Sequence, residues 1–344
     1  MTQVVNAPDG RRLSVESLGA PEGKPVFLLH GTPGSRNGPR PRGIVLYRLG
    51  IRLISYDRPG YPGSDRKKDR TVAQAAENVK AIADDLGINR FSIIGRSGGA
   101  PHALACAALL REHVICAAAL GSLAPYDAEG LDWNGGMADS NVRAYRDAEA
   151  DLGALIATLN EQAKHVRNNS EGLLKLLWPE LVDHDKEVIG DIALRRIIAQ
   201  VHAEALRDTV DGWIDDVIAL SRPWDFKLSD ITAPVKLWSG SDDVFSPANH
   251  TRWLAERINR ADLEIEAGAA HFGAVEILPK ILTWVADMAN KERLAGRPAV
   301  AGDTDDRPLR WAGASPSPVP ARTGAGTLER RRINHAEQSV TRHD

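Results

Sequence analysis

Short apolar runs alternate with amphipathic stretches through the first third of the chain. Residues 2–6 and 11–17 read as strands around the Pro8-Asp9-Gly10 turn. Residues 26–29 and 51–56 are apolar runs that end in Gly- and Pro-rich loops. Runs this short, bounded by turn residues, suit strands buried on both faces of a parallel sheet. Residues 71–86 carry Val72, Ala75, Ala76, Val79, Ile82, Ala83 and Leu86 at helical spacing. Thr71 with Gln74 predicts a capping-box start, and Gly87 predicts the stop. A strand over 91–94, an Ala- and Leu-rich helix over 98–111 and a strand over 114–120 continue the rhythm. The sum is a mostly parallel, doubly wound sheet with helices on both faces.

The rhythm breaks after Ser122. Residues 123–225 are helical in pattern, with helices expected over 141–160, 171–177, 189–205 and 213–220. Alternation then resumes: strand 234–239, helix 247–258, strand 262–267, helix 272–290. A helical block that interrupts a parallel sheet reads as an inserted cap. The expected organisation is a core of residues 1–122 and 226–295, a helical cap of 123–225 and a tail of 296–344. The tail holds five prolines, scattered charge and few large apolar groups. Such a composition cannot bury enough surface to offset its ordering entropy, so the tail is expected to be disordered. Its Arg330-Arg331-Arg332 run reads as a solvated stretch.

Composition narrows the function classes. The 344 residues carry 43 Lys and Arg against 46 Asp and Glu, a net charge of −3. No strong positive field exists to hold a nucleic acid. Two cysteines, Cys106 and Cys116, exclude a disulfide framework and a cysteine zinc site. No His, Asp and Glu cluster has metal-ligand spacing, so neither metal nor cofactor is expected. No apolar run approaches the about 20 residues of a membrane span. The polar N-terminus lacks a signal-peptide core, so the expected location is the cytoplasm, as a monomer or homodimer.

Gly95-Arg96-Ser97-Gly98-Gly99 follows an expected strand and opens an expected helix, the context that G-x-S-x-G requires. A residue between strand and helix sits on a tight turn, and side chains at 95 and 99 would clash with the neighbouring strand and helix. The turn lifts the Ser97 hydroxyl above the strand end and aims a helix N-terminus at developing negative charge. A serine needs a base, and the base needs a carboxylate. His271 lies between the last strand and the last helix, at the carboxyl edge of the sheet where ligands bind. The acid is expected after the preceding strand, where Asp242 and Asp243 compete. The Gly240-x-x-Asp243 spacing, with Pro247 four residues on, favours Asp243. The order Ser, Asp, His is the one this arrangement uses. The Thr32 and Gly98 N–H groups are the expected oxyanion hole, about 3–4 kcal/mol per donor in the transition state. His30 reads as a support for that hole and His102 as a helix-face residue. Arg96 reads either as a group favouring an acidic or polar substrate or as a salt bridge to the scaffold. Trp133, Trp178, Trp213 and Trp224 read either as pocket lining or as helix packing.

Together these motifs resemble the α/β-hydrolase superfamily over roughly residues 1–122 and 226–292. The matching stretches are His30-Gly31-Thr32-Pro33-Gly34, Asp57-Arg58-Pro59-Gly60-Tyr61-Pro62-Gly63-Ser64, Gly95 to Gly99, Gly240 to Pro247 and Gly268 to Phe272. The set is similar to the capped branch with proline iminopeptidases, lactonases and small-ester hydrolases. Iminopeptidases usually have Gly where this chain has Thr32. The Asp211-Gly212-Trp213 and Arg222-Pro223-Trp224-Asp225-Phe226 stretches resemble those of uncharacterised bacterial hydrolases. The resemblance implies a serine hydrolase with Ser97, Asp243 and His271 as its triad, acting on an ester, lactone or amide of a small molecule. A serine at the elbow speaks against epoxide hydrolase and dehalogenase chemistry, which uses aspartate there. Alternatives are a small-molecule sensor that keeps the triad, an iminopeptidase-like aminopeptidase and a perhydrolase side activity.

Overall fold

The computed structural model describes residues 2–295. The expected tail and its arginine run lie outside the described residues. The chain runs β1 (Thr2–Asn6), β2 (Arg12–Gly19), β3 (Lys24–Leu29), α1 (Gly43–Leu49), β4 (Ile51–Tyr56), α2 (Ala75–Asp85), β5 (Phe91–Arg96), α3 (Gly99–Leu109) and β6 (Val114–Leu120). Six helices follow: α4 (Asp139–Ala150), α5 (Leu152–Asn168), α6 (Gly172–Leu177), α7 (Asp183–Gly190), α8 (Ile192–Ala205) and α9 (Asp211–Leu220). The described chain closes with β7 (Val235–Gly240), α10 (Ala248–Ala255), β8 (Ala261–Glu266), α11 (Gly273–Glu276) and α12 (Leu278–Ala295).

The eight strands form one sheet in the order β1-β2-β4-β3-β5-β6-β7-β8. The β1–β2 and β2–β4 pairs are antiparallel and every later pair is parallel. This is the alpha/beta hydrolase fold. Its central strands read as unbroken apolar runs because both faces are covered. Phe27, Leu29, Ile54, Tyr56, Phe91 and Ile93 point into one core layer with α2 and α3. Their neighbours Val26, Leu28, Ile51, Leu53 and Ile94 point into the other, against Leu46 of α1 and Ile281, Leu282 and Val285 of α12. Strict period-2 sorting of side chains into two layers fixes the register of each strand. The α3 helix is buried nearly all round, which explains its apolar, stripe-free sequence.

Several local expectations change. The expected helix over 141–160 is two helices, broken at Asp151 (φ −149°), whose carboxylate caps α5 by accepting from Ala154 N–H at 3.0 Å. The expected 71–86 helix begins at Ala75. Gln74 Oε1 still accepts from Thr71 N–H at 3.3 Å, so half of the capping box forms around a turn. The last expected helix divides into α11 and α12. Both α1 and α7 lack a sequence signal of their own: α1 buries only Leu46, and α7 buries Asp185 beside just two apolar residues, Val188 and Ile189.

Between β3 and β5 the winding direction reverses, since β4 lies on one side of β3 and β5 on the other. The loops leaving those strand ends diverge and leave a crevice, the preferred ligand position in open α/β sheets. Residues 30–34 and Ser97 both lie there.

Candidate active site

Ser97 follows β5 with φ 52°, one of three described non-glycine residues at positive φ. Two close approaches make the bend possible. A Cβ on Gly95 would stand 2.3 Å from the Gly99 carbonyl oxygen, and one on Gly99 would stand 2.4 Å from that of His30. Any side chain at either position would force the helix off the strand. The turn is pinned by Ser97 N–H donating to the Leu120 carbonyl at 2.8 Å. Strain of this kind persists only where surrounding contacts over-determine it.

The Ser97 hydroxyl lies 3.0 Å from His271 Nε2. On its other side His271 Nδ1 meets Asp243 Oδ1 and Oδ2 at 3.0 and 2.9 Å. The carboxylate only accepts, so Nδ1 carries the proton and Nε2 is the acceptor facing serine. Asp243 is held by the Phe245 and Ser246 N–H groups, each 2.8 Å from Oδ1. Asp242 is exposed and accepts from the Ser241 hydroxyl instead, so the structure brings Asp243 and not Asp242 to His271. Burial works against a charged His271, but the Asp243 carboxylate and its hydrogen bond outweigh it and raise the imidazole pKa above its ordinary value.

Thr32 and Gly98 meet across the crevice. A Cβ on Gly98 would lie 2.2 Å from Thr32 Oγ1 and 3.4 Å from Thr32 N. Among the described residues neither the Thr32 nor the Gly98 N–H donates to a protein acceptor. Behind Thr32 lies a buried cluster that the sequence reading missed. The Asp216 carboxylate accepts from Thr32 Oγ1 (2.6 Å), Tyr61 Oη (2.7 Å), Arg58 Nη2 (2.5 Å) and Nε (3.1 Å), and Arg70 Nη2 (2.5 Å). Burial alone would neutralise Asp216, but Arg58 and Arg70 hold its carboxyl well below the usual range. Arg58 also donates to the carbonyls of His30 and Gly31. The 57–61 loop and α9 thereby clamp residues 30–32. The clamp needs Gly212, whose N–H donates to the Gly60 carbonyl at 3.0 Å and whose added Cβ would stand 2.5 Å from the Tyr61 ring. The Asp211-Gly212-Trp213 motif was the available signal. Its acid Asp216 lies one helical turn and a half further on.

A second missed acid is Asp185 on α7. Its Oδ1 accepts from Phe272 N–H at 2.7 Å, and His184 Nδ1 accepts from Ala270 N–H at 3.3 Å. The helical block therefore grips both residues flanking His271. Burial raises the Asp185 pKa, and its Oδ2 has no partner.

A cavity of about 330 Å³ opens over these groups. Ser97, His271, Thr32, Gly98 and Arg96 line one part, and Leu155, Leu159, Val201, Trp213 and Val217 line its apolar wall. Of the four tryptophans considered, only Trp213 reaches this cavity. Trp133 packs edge-on against Tyr126, Tyr145 and His250, Trp224 stacks on Phe226, and Trp178 is exposed. His30 donates through Nδ1 to the Gly31 carbonyl and accepts Arg58 N–H at Nε2, so neither nitrogen is free to serve as a base. Burial lowers the His102 pKa to about 3, and its Nδ1–H donates to the Gly98 carbonyl. Cys106 and Cys116 are buried and unbridged. Among the described residues no group of His, Cys, Asp and Glu is arranged to hold a metal ion, and no helix is long and apolar enough to cross a membrane.

Comparison with known proteins agrees with this architecture. The chain is 34% identical over 117 residues to 2-hydroxymuconate semialdehyde hydrolase of Pseudomonas putida, covering 33% of this chain and 41% of that protein. It is 31% identical over 106 residues to proline iminopeptidase of Xanthomonas citri, covering 29% and 33%. The match thus spans less than half of either relative. The enol-lactonase from Burkholderia xenovorans LB400 superposes with a TM-score of 0.61 at 19% identity, over 84% of this chain and 100% of that one, a likeness of fold. Residues 24–278 match the alpha/beta hydrolase fold family, and this chain belongs to it.

Proposed function

We propose that the protein is a serine hydrolase that cleaves a carboxylic ester, lactone or amide bond of a small molecule through an acyl-enzyme. The observation that carries this reading is the unbroken hydrogen-bonded series Ser97, His271, Asp243 at the wall of a cavity. In this reading Ser97 Oγ attacks the acyl carbon while His271 Nε2 takes its proton. Asp243 fixes the tautomer and stabilises the imidazolium. The Thr32 and Gly98 N–H groups hold the oxyanion. His271 returns the proton to the leaving group, then activates water to release the acid.

Residues 123–225 act as the cap in this proposal. Helices α4, α5, α8 and α9 supply most of the apolar wall, so the cap selects the substrate and limits water. The names of the relatives, a semialdehyde hydrolase, an iminopeptidase and an enol-lactonase, are compatible with a hydrolytic acyl cleavage. The charge next to the serine is the Arg96 cation, which opposes a substrate with a free ammonium group and favours esters and lactones over aminoacyl amides.

A serine-reactive fluorophosphonate is expected to label the wild type and not Ser97→Ala. A panel of p-nitrophenyl esters, lactones and aminoacyl amides is expected to show multiple turnovers that Ser97→Ala loses. Equal labelling of both proteins sinks the reading, and a single slow event without turnover points to a sensor.

A further inference from the structure

Arg96 is the residue immediately before the candidate nucleophile, and its guanidinium lines the cavity. Among the described residues it forms no ion pair and no side-chain hydrogen bond. That isolation is unusual here, because the buried Arg58 and Arg70 are tied to Asp216. Burial is the single influence on Arg96, lowering its pKa to about 10, so it remains a cation at neutral pH. Arg96 is half-buried at the cavity wall, so its cation is partly desolvated without a counter-ion, and a ligand anion would offset that cost.

The neighbours of Arg96 match an anion. His202 on α8 lines the same cavity, and its Nδ1 is buried without a partner. Burial, together with the Arg96 charge, lowers the His202 pKa to about 4, so it is a neutral ring that can donate one N–H. Among the described residues Asp147 is the one acid that lines the cavity, and Arg143 and Thr158, both exposed, line it too.

Placement sets the distance. A Cβ built on Gly31 would lie 3.4 Å from Ser97 Cβ and 3.6 Å from Arg96 Nη2, so both groups flank one backbone position of the oxyanion loop. The leaving group departs towards His271, which must protonate it. Arg96 stands on the oxyanion-loop side, and a group bound there belongs to the acyl half of the substrate. Those two distances keep Ser97 Cβ and Arg96 Nη2 within about 7 Å of each other, so a substrate that bonds the guanidinium at about 2.8 Å while its acyl carbon meets the serine needs only a short spacer, such as the three methylenes of a glutarate half-ester.

Resting on the hydrolase reading above, we infer that Arg96, assisted by His202, is a specificity-determining residue that binds a carboxylate on the acyl half of the substrate. The favoured substrates are half-esters or lactones whose acid product is a short dicarboxylate. The step itself is the ordinary hydrolysis: the Ser97 oxygen bonds to the acyl carbon, the alkoxy group leaves with the proton from His271, and water then releases the dicarboxylate.

The test compares 4-nitrophenyl hydrogen glutarate with 4-nitrophenyl butyrate, which share a leaving group and differ by the carboxylate. Wild-type kcat/KM is expected to favour the anionic ester at least tenfold after correction for spontaneous hydrolysis. The ratio is expected to fall by about 10- to 100-fold in Arg96→Gln, chiefly through KM, with partial recovery in Arg96→Lys. An unchanged ratio in Arg96→Gln, or a wild type that prefers the butyrate, overturns the inference. A second readout requires neither turnover nor a folded Arg96 variant. Glutarate binding to Ser97→Ala is measured by calorimetry, with butyramide as the neutral control. Binding of glutarate that weakens with added salt, without binding of butyramide, supports the site, and equal or absent binding of both overturns it. If Ser97→Ala keeps wild-type turnover the hydrolase reading falls, yet the calorimetric result still decides the carboxylate site.

Discussion

Two arginines flank the loop 30–32 from different sides, and they are used in opposite ways. Arg58 is 1% exposed and all three of its guanidinium nitrogens are engaged, by Asp216, by Thr32 Oγ1 and by the His30 and Gly31 carbonyls. Arg96 faces the cavity and, among the described residues, forms no ion pair. The paired cation is architecture: it converts a flexible Gly- and Pro-containing loop into a fixed platform for the Thr32 N–H. The unpaired cation contributes no such anchoring. The contrast teaches that burial of charge by itself does not identify a functional group, whereas a cation without an anion at a cavity wall does point to one.

The His271–Asp243 pair is a third case, a buried charge whose partner titrates, and it gives the largest expected effect. Asp243→Asn removes the acceptor that fixes the tautomer and is expected to lower kcat by about 10⁴-fold. Asp242→Asn is expected to leave kcat within about twofold, as for an exposed substitution away from special contacts. Steady-state kinetics on the two variants decides, and equal losses would break the assignment of Asp243.

Next in size is the clamp. Asp216→Ala leaves Arg58 and Arg70 buried together without their anion, and should destabilise the protein by about 3–5 kcal/mol in urea unfolding. A loss below about 1 kcal/mol would mean that the network is not what holds the platform, and the contrast with Arg96 would fail.

The pH dependence is a smaller effect with a definite sign. Only neutral His271 can accept the serine proton, and Asp243 raises its pKa. The acid limb of the kcat/KM profile should therefore have its midpoint above about 6.5, the ordinary imidazole value. A midpoint at or below that value contradicts the described pairing. For stability the sign is reversed: a raised folded pKa stabilises fully below the unfolded value and is lost as pH rises through the folded one. Activity and this share of stability should therefore move in opposite directions with pH.

The smallest effect is the sharpest for the comparison. Arg96→Met removes an unpaired cation and keeps much of the side-chain volume. Its stability should change by less than about 1 kcal/mol, towards a more stable protein. A loss approaching that of Asp216→Ala would show that Arg96 is a structural residue after all.

Much of this was legible along the chain because it is local or periodic. The run Phe91 to Ile94 followed by Gly95-Arg96-Ser97-Gly98-Gly99 states a strand, a bend and a helix in nine residues, and the glycines are dictated by contacts at the bend itself. The Gly240-x-x-Asp243 spacing pointed to the aspartate whose carboxylate meets His271 Nδ1, while Asp242 accepts from the Ser241 hydroxyl. By contrast, α7 carries Asp185 inward with Val188 and Ile189, and no periodicity announces an acid that binds the Phe272 N–H. Likewise the 141–160 pattern continues through Asp151, where the backbone dihedral and the carboxylate cap on Ala154 N–H show the break.

By itself the sequence determined the alternation that winds a parallel sheet, the bend that carries Ser97 and the loops after the last two strands that carry Asp243 and His271. Those features follow from steric and periodic rules acting within a few residues. Tertiary structure alone decided which buried charges are satisfied. Asp216 meets Arg58 across 158 positions, and among the described residues Arg96 has no ion-pair partner. Whether an ion finds its counter-ion depends on how separate elements pack together, and that distance in space is not encoded in any local pattern.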